Sequence, residues 1–230
     1  MPEINFHQID CMEFMRELPD NAYDLAIVDP PYGIGVDGQK ESSSRHGGRR
    51  AIEFKGWDNE PPPPEYFTEL FRVSKNQIIW GANYFTNNIP PSMGWIFWDK
   101  GQRICNSDGE LAFSSFDKAL RVFTLNRAYI QEMGGGKHPT QKPVRLYYWL
   151  LENYAKPGDR ILDTHGGSMS SAIACHDLGF NLDICELDPD YFKAGKERFE
   201  RHVNRWAGLD SMIADTNDYS NLNTGLFAQQ

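Results

Sequence analysis

The sequence predicts an α/β protein: a three-layer fold whose sheet is mostly parallel but carries at least one antiparallel hairpin. Three observations predict it. The last third of the chain alternates strand, helix, strand and helix patterns, which implies right-handed parallel crossovers. The middle of the chain strings apolar strand patterns together with no helix between them. Several short apolar runs end abruptly on an acid, as strands do when they deliver a side chain to the edge of a sheet.

The elements follow in order. A first strand covers Ile4 to Gln8. Asp10 then precedes a short helical pattern with Phe14, Met15 and Leu18 on one face, and Asp10 and Glu13 have capping-box spacing. Leu25 to Val28 is a buried-strand run that stops on Asp29-Pro30-Pro31-Tyr32. A proline-rich break leads into a helix from about Glu65 to Val73, and "NQIIWGANYF" gives another strand. "GWIFWDK" and "ELAFSSFDKALRVFTLN" read as further strands that include the hairpin. "HPTQKPVRLYYWLLENYAKPGDR" is a helix stopped by Lys156-Pro157-Gly158. "RILDTHGGSMSSAIACHDLGF" is a strand, a glycine-bearing turn and a helix ended by Gly179. "NLDICELDPDYFKAGKERFERHV" is a strand and a helix, with Asp188 as N-cap and Pro189 at the first helical position.

Composition bounds the function. The 230 residues suffice for one domain with a full core, and 40 % hydrophobic with 13 % aromatic residues marks a globular chain. No apolar run approaches the roughly 18 residues of a membrane span, and the N-terminus has no signal-peptide pattern. Cys11, Cys105, Cys175 and Cys185 are far apart and form no C-x-x-C pair, which suits a reduced, cytoplasmic protein with no metal site. The net charge of −9 argues against a general polyanion binder. The charge is uneven, however: Lys40, Arg45, Arg49, Arg50 and Lys55 crowd a Ser/Gly-rich segment that reads as a basic loop. From Ala207 onward a polar tail, 207–230, is expected to be loosely ordered or to dock late.

Two strand ends carry acids in a ligand-binding layout. Asp163 precedes Gly166-Gly167 and a helix, and Glu186 ends the next strand roughly 20 residues on, the spacing of a site for a ribose-containing ligand. Asp163 would repel a pyrophosphate, so a cationic or zwitterionic ligand fits better.

The combination of "DPPY", "HPTQKP" and "DTHGGS…E", in that chain order, resembles the β class of DNA amino-methyltransferases, enzymes that use S-adenosylmethionine (SAM). The resemblance covers roughly residues 4 to 203. It implies a Rossmann-like SAM-methyltransferase sheet with circularly permuted motif order. It also implies a single domain over 1–206 with short target-recognition insertions at about 33–57 and 101–137. Its implied cofactor residues are Asp10, Cys11, His138, Thr140, Lys142, Asp163, Gly166, Gly167, Ser168 and Glu186. Asp163 would lie near the methionine amino group, Glu186 on the ribose and Asp10 near the adenine. Where the family's turn usually has Phe and a late Gly, this chain has His165 and Met169. The implied partner is double-stranded DNA, contacted by Arg45, Arg49, Arg50 and Lys55. Relatives of this class are often dimers, so a homodimer is a candidate assembly.

The resemblance also explains why a core strand should end in Asp-Pro-Pro-Tyr. The lone pair of an exocyclic amino group is delocalised into the base. Two acceptors, the Asp29 carboxylate and the Pro30 carbonyl, would aim it, while Pro30 and Pro31 fix the backbone and offer no competing N–H. The Tyr32 ring would stack on a flipped base. The expected product is N6-methyladenine. Cytosine N4, an RNA base or a protein amide are alternative targets. A non-catalytic DNA-binding module is the alternative outside enzymes. A solitary or phage-type modification enzyme is as consistent with the sequence as one paired with a restriction nuclease.

Overall fold

A computed structural model describes residues 1–38, 40, 54–101, 107–126 and 141–218, the last stretch as backbone alone from residue 206. The strands are β1 (Ile4–His7), β2 (Leu25–Val28), β3 (Gln77–Trp80), β4 (Ile96–Asp99), β5 (Gly109–Ser114), β6 (Arg121–Thr124), β7 (Arg160–Asp163) and β8 (Asn181–Cys185). The helices are α1 (Cys11–Arg16), α2 (Pro64–Val73), α3 (Val144–Tyr154), α4 (Ser170–Leu178) and α5 (Pro189–Asp218), with a 3-10 turn at Ala82–Tyr84.

One sheet runs β1-β8-β7-β2-β3-β5-β4-β6. The pairs β1/β8, β8/β7, β7/β2 and β2/β3 are parallel. β5 is antiparallel to both β3 and β4, so the expected hairpin is β4–β5. β6 does not extend that hairpin: it crosses the bottom of β4 and pairs with its far side in parallel, Ile96 facing Arg121.

Alternation sorts the strands' side chains into two cores. Leu25, Ile27, Ile78, Trp80 and Ile184 pack against α3 and α4, with Phe192 and Phe199 of α5 at the margin. Ala26, Val28, Ile79, Phe113 and Leu162 pack against Met15 of α1 and Tyr66, Phe67, Leu70 and Val73 of α2. β2 and β3 expose nothing on either face, the pattern of strands covered by helices on both sides. This is the three-layer α/β fold expected from the sequence.

The caps are as read. The Asp10 carboxylate accepts from the N–H groups of Met12 and Glu13, and that of Asp188 from those of Asp190 and Tyr191. α5 continues through Ala207 to Asp218. Elongating a helix that is already nucleated adds a hydrogen bond for each residue fixed, and this stretch holds no proline. Residues 219–230 lie outside the described residues. Cys11, Cys175 and Cys185 are free thiols. Among the described residues, no helix is long and apolar enough to cross a membrane, and no cluster of His, Cys, Asp and Glu could hold a metal ion.

Candidate active site

The sheet's connections diverge between β7 and β2: from β2 the chain moves outward to β3, and from β7 it moves the other way to β8. Ligands of open α/β sheets bind at such a point, beyond the carboxyl ends of the strands. Asp29 follows β2 and Asp163 ends β7, so the two acids highlighted by the sequence stand on neighbouring strands at that divide.

Asp29 sits inside a network of charges. Its Oδ1 accepts a hydrogen bond from the Tyr32 hydroxyl at 2.7 Å, and its Oδ2 pairs with the Lys142 ammonium at 2.5 Å. Lys142 also reaches Glu110 Oε2 at 3.1 Å and donates to the Tyr32 hydroxyl oxygen at 3.1 Å. Lys100 holds the other Glu110 oxygen at 2.7 Å. Lys142 is almost fully buried, its side chain 4 % exposed. Burial pulls its ammonium down, but the carboxylates of Asp29 and Glu110 overcome this and raise it, so the lysine is charged. Burial likewise pushes Glu110 up, yet the two lysines hold its carboxyl at about 2. Burial raises Asp29 above the ordinary carboxylate range, and Lys142 opposes that rise.

The turn after Asp29 is built to hold the Tyr32 ring still. Asp58 gathers the N–H groups of Tyr32, Gly33 and Val36. The ring stacks on Tyr84 with centroids 5.2 Å apart and meets Phe85 edge-on. It also lies against the backbone of Gly81, where a Cβ would stand 2.1 Å from Tyr32 Cε1. Only glycine admits the ring there, and Gly81 also has φ +68°. The sequence reading gave Tyr32 a role through its ring, and the structure adds its hydroxyl, which bonds the catalytic candidate.

The glycine turn after β7 is tied on three sides. Gly166 N–H reaches Cys185 O, and Gly167 N–H donates to Glu186 Oε2 at 2.7 Å. The other Glu186 oxygen accepts from Asp188 N–H. Ser170 Oγ donates to the Lys142 carbonyl, and Arg198 of α5 donates to Ser168 O and Ser170 Oγ. Asp163 is buried and accepts from His165 N–H and the Ser171 hydroxyl. Burial pushes its carboxyl up to about 7. A buried acid so placed favours a cation beside it. Leu187, 65 % exposed, adds an apolar surface next to Glu186. A glycine turn, two acids and an apolar neighbour fit a cationic, ribose-bearing ligand.

The two departures in the turn now have a physical account. His165 packs edge-on to Tyr66 and contacts the Thr164 hydroxyl, and burial holds its imidazole down at about 4, hence neutral. Met169 adopts φ 57°, the left-handed region where glycine is usual. Its buried side chain fills the room left by Gly166 and by Gly195 of α5.

Other sequence-derived candidates fall differently. Lys55 does not present a free charge: its ammonium is held by Asp188 and Asp190 at the start of α5 and lies over the Tyr191 ring. Lys142, read as flanking a cofactor, has its ammonium on Asp29 instead, with its carbonyl on the turn. Cys11 is partly buried beside the Asp10 cap, and burial raises its thiol to about 12, so it is not a nucleophile. His138, Thr140, Arg45, Arg49 and Arg50 lie outside the described residues. Glu110 and Lys100 were not foreseen. A hollow of about 490 Å³ lined by Pro91, Ser92, Met93, Ser115, Phe116 and Asp117 opens at the opposite end of the strands, away from the converging acids.

Gly195→Ala tests the packing of the turn. Alanine favours a helix by ~1 kcal/mol, but its Cβ would lie 2.5 Å from Met169 Cγ and 2.8 Å from Gly167 O. The clash with backbone outweighs the propensity, so thermal unfolding should show Tm lower by several degrees, at about 2–4 °C per kcal/mol for this size.

Comparison with known proteins gives matches in sequence and in fold over most of the chain. The family model described as DNA methylase (N6_N4_Mtase) matches residues 91–197, from β4 to the start of α5. That span contains Lys100, Glu110, Lys142, Asp163 and Glu186 but not Asp29. A type II methyltransferase of Moraxella bovis, M2.MboI, is 26 % identical over 237 residues, covering 85 % of this chain and 87 % of that protein. A second, M.HpaI of Haemophilus parainfluenzae, is 25 % identical and covers 89 % of this chain and 76 % of its own length. Among solved structures, the M1.HpyAVI–SAM complex matches with a TM-score of 0.57 at 20 % identity, covering 85 % of this chain and 99 % of that one. The cytosine-N4-specific PvuII DNA methyltransferase matches with the same TM-score, at 11 % identity, over 89 % and 93 %. In sequence over most of its length, and in fold, the chain resembles the DNA amino-methyltransferases.

Proposed function

We propose that this protein is a SAM-dependent DNA methyltransferase that modifies the N6 amino group of a flipped-out adenine. The observation that carries the reading is the position of Asp29. It is held by Tyr32 and Lys142 at the carboxyl end of β2, beside the glycine turn and Asp163 of the adjacent β7. SAM, when bound, supplies an electrophilic methyl group on a positively charged sulfur. Glu186 and the Gly166–Gly167 turn would hold its ribose, Asp163 would face its ammonium, and Asp10 would lie near its adenine.

The chain's own residues supply positioning and electrostatics. A carboxylate offers about four lone-pair sites, and Tyr32 and Lys142 use two. The remainder, on a side chain 17 % exposed, can accept an N–H of the incoming amino group. Pro30, which is buried, carries the second acceptor carbonyl. As the nitrogen gains its methyl and positive charge, Asp29 stabilises that charge, and an N–H proton leaves to it or to water. Tyr32 and Tyr84 form the aromatic wall for the base. Asp at the first position of the motif supports adenine over cytosine. Residues 33–57 and 101–137 would read the DNA.

Two outcomes are expected. Asp29→Ala should bind SAM with unchanged affinity in calorimetry and lose nearly all turnover in methyl transfer to duplex DNA, with the loss in kcat. Nucleoside analysis then identifies the product. N4-methylcytosine would move the target to cytosine and keep the mechanism, and full activity in Asp29→Ala would remove it.

The second outcome concerns pH. Asp163 at about 7 is half protonated near neutrality, and an ammonium beside it lowers that value, so binding expels a proton. SAM affinity should therefore rise between pH 5.5 and about 7, where an α-amino group is still mostly charged. Calorimetry in buffers of different ionisation enthalpy should show proton release over that range. Affinity independent of pH there would separate Asp163 from the ligand's ammonium.

A further inference from the structure

We propose that Glu110 and Lys100 are positioning residues for Asp29: the chain Lys100–Glu110–Lys142–Asp29 is a closed, charge-neutral network that sets how firmly Lys142 engages the catalytic carboxylate. The proposal rests on the reading of Asp29 as the acceptor for the target amino group, and it adds the two residues that tune it.

The geometry carries it. Signs alternate along the chain, with contacts of 2.7, 3.1 and 2.5 Å. The side chains are 9 % exposed at Lys100, 24 % at Glu110, 4 % at Lys142 and 17 % at Asp29. Ions this far from water survive only when each has its partner. Lys142 has two carboxylate partners and divides its charge between them, and Glu110 divides its own between two lysines. A lysine paired with Asp29 alone would concentrate on it and compete with the substrate's N–H for the same lone pairs. Glu110 draws part of that charge away. Lys100, in turn, occupies Glu110 Oε1 so that only Oε2 faces Lys142. Topology makes the arrangement possible. β4 ends, and the antiparallel β5 begins, at the edge where β2 ends, which brings Lys100 and Glu110 to Asp29 from 71 and 81 residues away (100 − 29 and 110 − 29).

Among the described residues, every charged or titratable group facing Asp29 enters the balance: Tyr32 from its own turn, Lys142 from the segment before α3, Tyr147 on α3, Glu110 on β5 and Asp163 at the end of β7. Removing one outer member tips it in a predictable direction. In Glu110→Gln the Lys142 charge falls wholly on Asp29, which titrates lower. In Lys100→Met, Glu110 leans on Lys142, Asp29 loses its share and titrates higher. A role limited to packing would shift neither, or both the same way.

The test reads Asp29 directly by carbon-13 NMR of the full chain labelled at aspartate carboxyls, its resonance assigned through Asp29→Asn. Relative to wild type, the midpoint should move down by about one pH unit in Glu110→Gln and up by a similar amount in Lys100→Met, a tenfold change in the protonation ratio each way. Lys100→Arg keeps the charge and should restore the wild-type midpoint. If the methionine variant fails to fold, Lys100→Gln takes its place, with the same upward shift expected. Midpoints that stay fixed, or move in the same direction, would overturn the proposal. The titration needs no turnover, so it can fail while Asp29→Ala still abolishes methylation, and it can succeed where the functional reading fails. With DNA and SAM, the acid limb of the pH–kcat profile should follow the same opposite shifts.

Discussion

The buried ion pair between Lys142 and Asp29 is the constraint on which the site depends. A lysine ammonium with 4 % exposure could not stay charged without carboxylates beside it. Once charged, it fixes Asp29, Glu110 and the Tyr32 hydroxyl around itself. The pair also joins segments far apart in sequence: the turn after β2, the start of β5, the end of β4 and the approach to α3. Isolated buried pairs are poor sources of stability, because desolvation offsets their attraction. The better account of this one is that it orients an acid at the sheet's divide. Apolar substitutes would give the core the same volume and leave nothing there to accept a hydrogen bond.

How legible this was in the sequence depended on whether the signal was local. Asp29, Asp163 and Glu186 were visible because each ends an apolar run or precedes a glycine turn, and Asp10 and Asp188 because caps have short spacing rules. The α/β class followed from alternation in the last third. Glu110 and Lys100 could not be read that way. Glu110 begins a strand and Lys100 follows one, in segments whose pairing is set by tertiary register. Only the antiparallel setting of β5 between β3 and β4 brings them to the carboxyl edge. The same reasoning accounts for Lys55. Its neighbours in sequence are basic and glycine-rich, but its partners Asp188 and Asp190 lie beyond residue 185, on another element.

The turn after β7 shows a local rule being broken and compensated. A non-glycine residue in the left-handed region costs roughly 1–2 kcal/mol, and Met169 stands there at φ 57°. Its thioether is wholly buried, between Gly166, Ile184 and Gly195. Burying such a side chain returns about 1.5–3 kcal/mol, enough to offset the backbone strain. Gly166 and Gly195 therefore do more than loosen the chain: they leave the volume that the methionine fills. With the turn anchored by packing below and by Glu186 and Arg198 at its sides, its shape does not rely on a glycine at position 169.

That anchoring couples the two halves of the site. Ser170 opens α4, and its hydroxyl donates to the carbonyl of Lys142, the residue whose ammonium holds Asp29. The start of α4 and the Asp29 carboxylate are thus separated by one lysine, fixed at both ends. A shift of the turn would be felt at Asp29 through that side chain, and movement of Asp29 would be resisted by α4. The charges follow the same logic. Among the described residues Asp163 is buried with no cationic partner, while Asp29 has Lys142. The two neighbouring acids are therefore not interchangeable: one is held by hydrogen bonds from a backbone N–H and a hydroxyl, and the other by a buried ammonium.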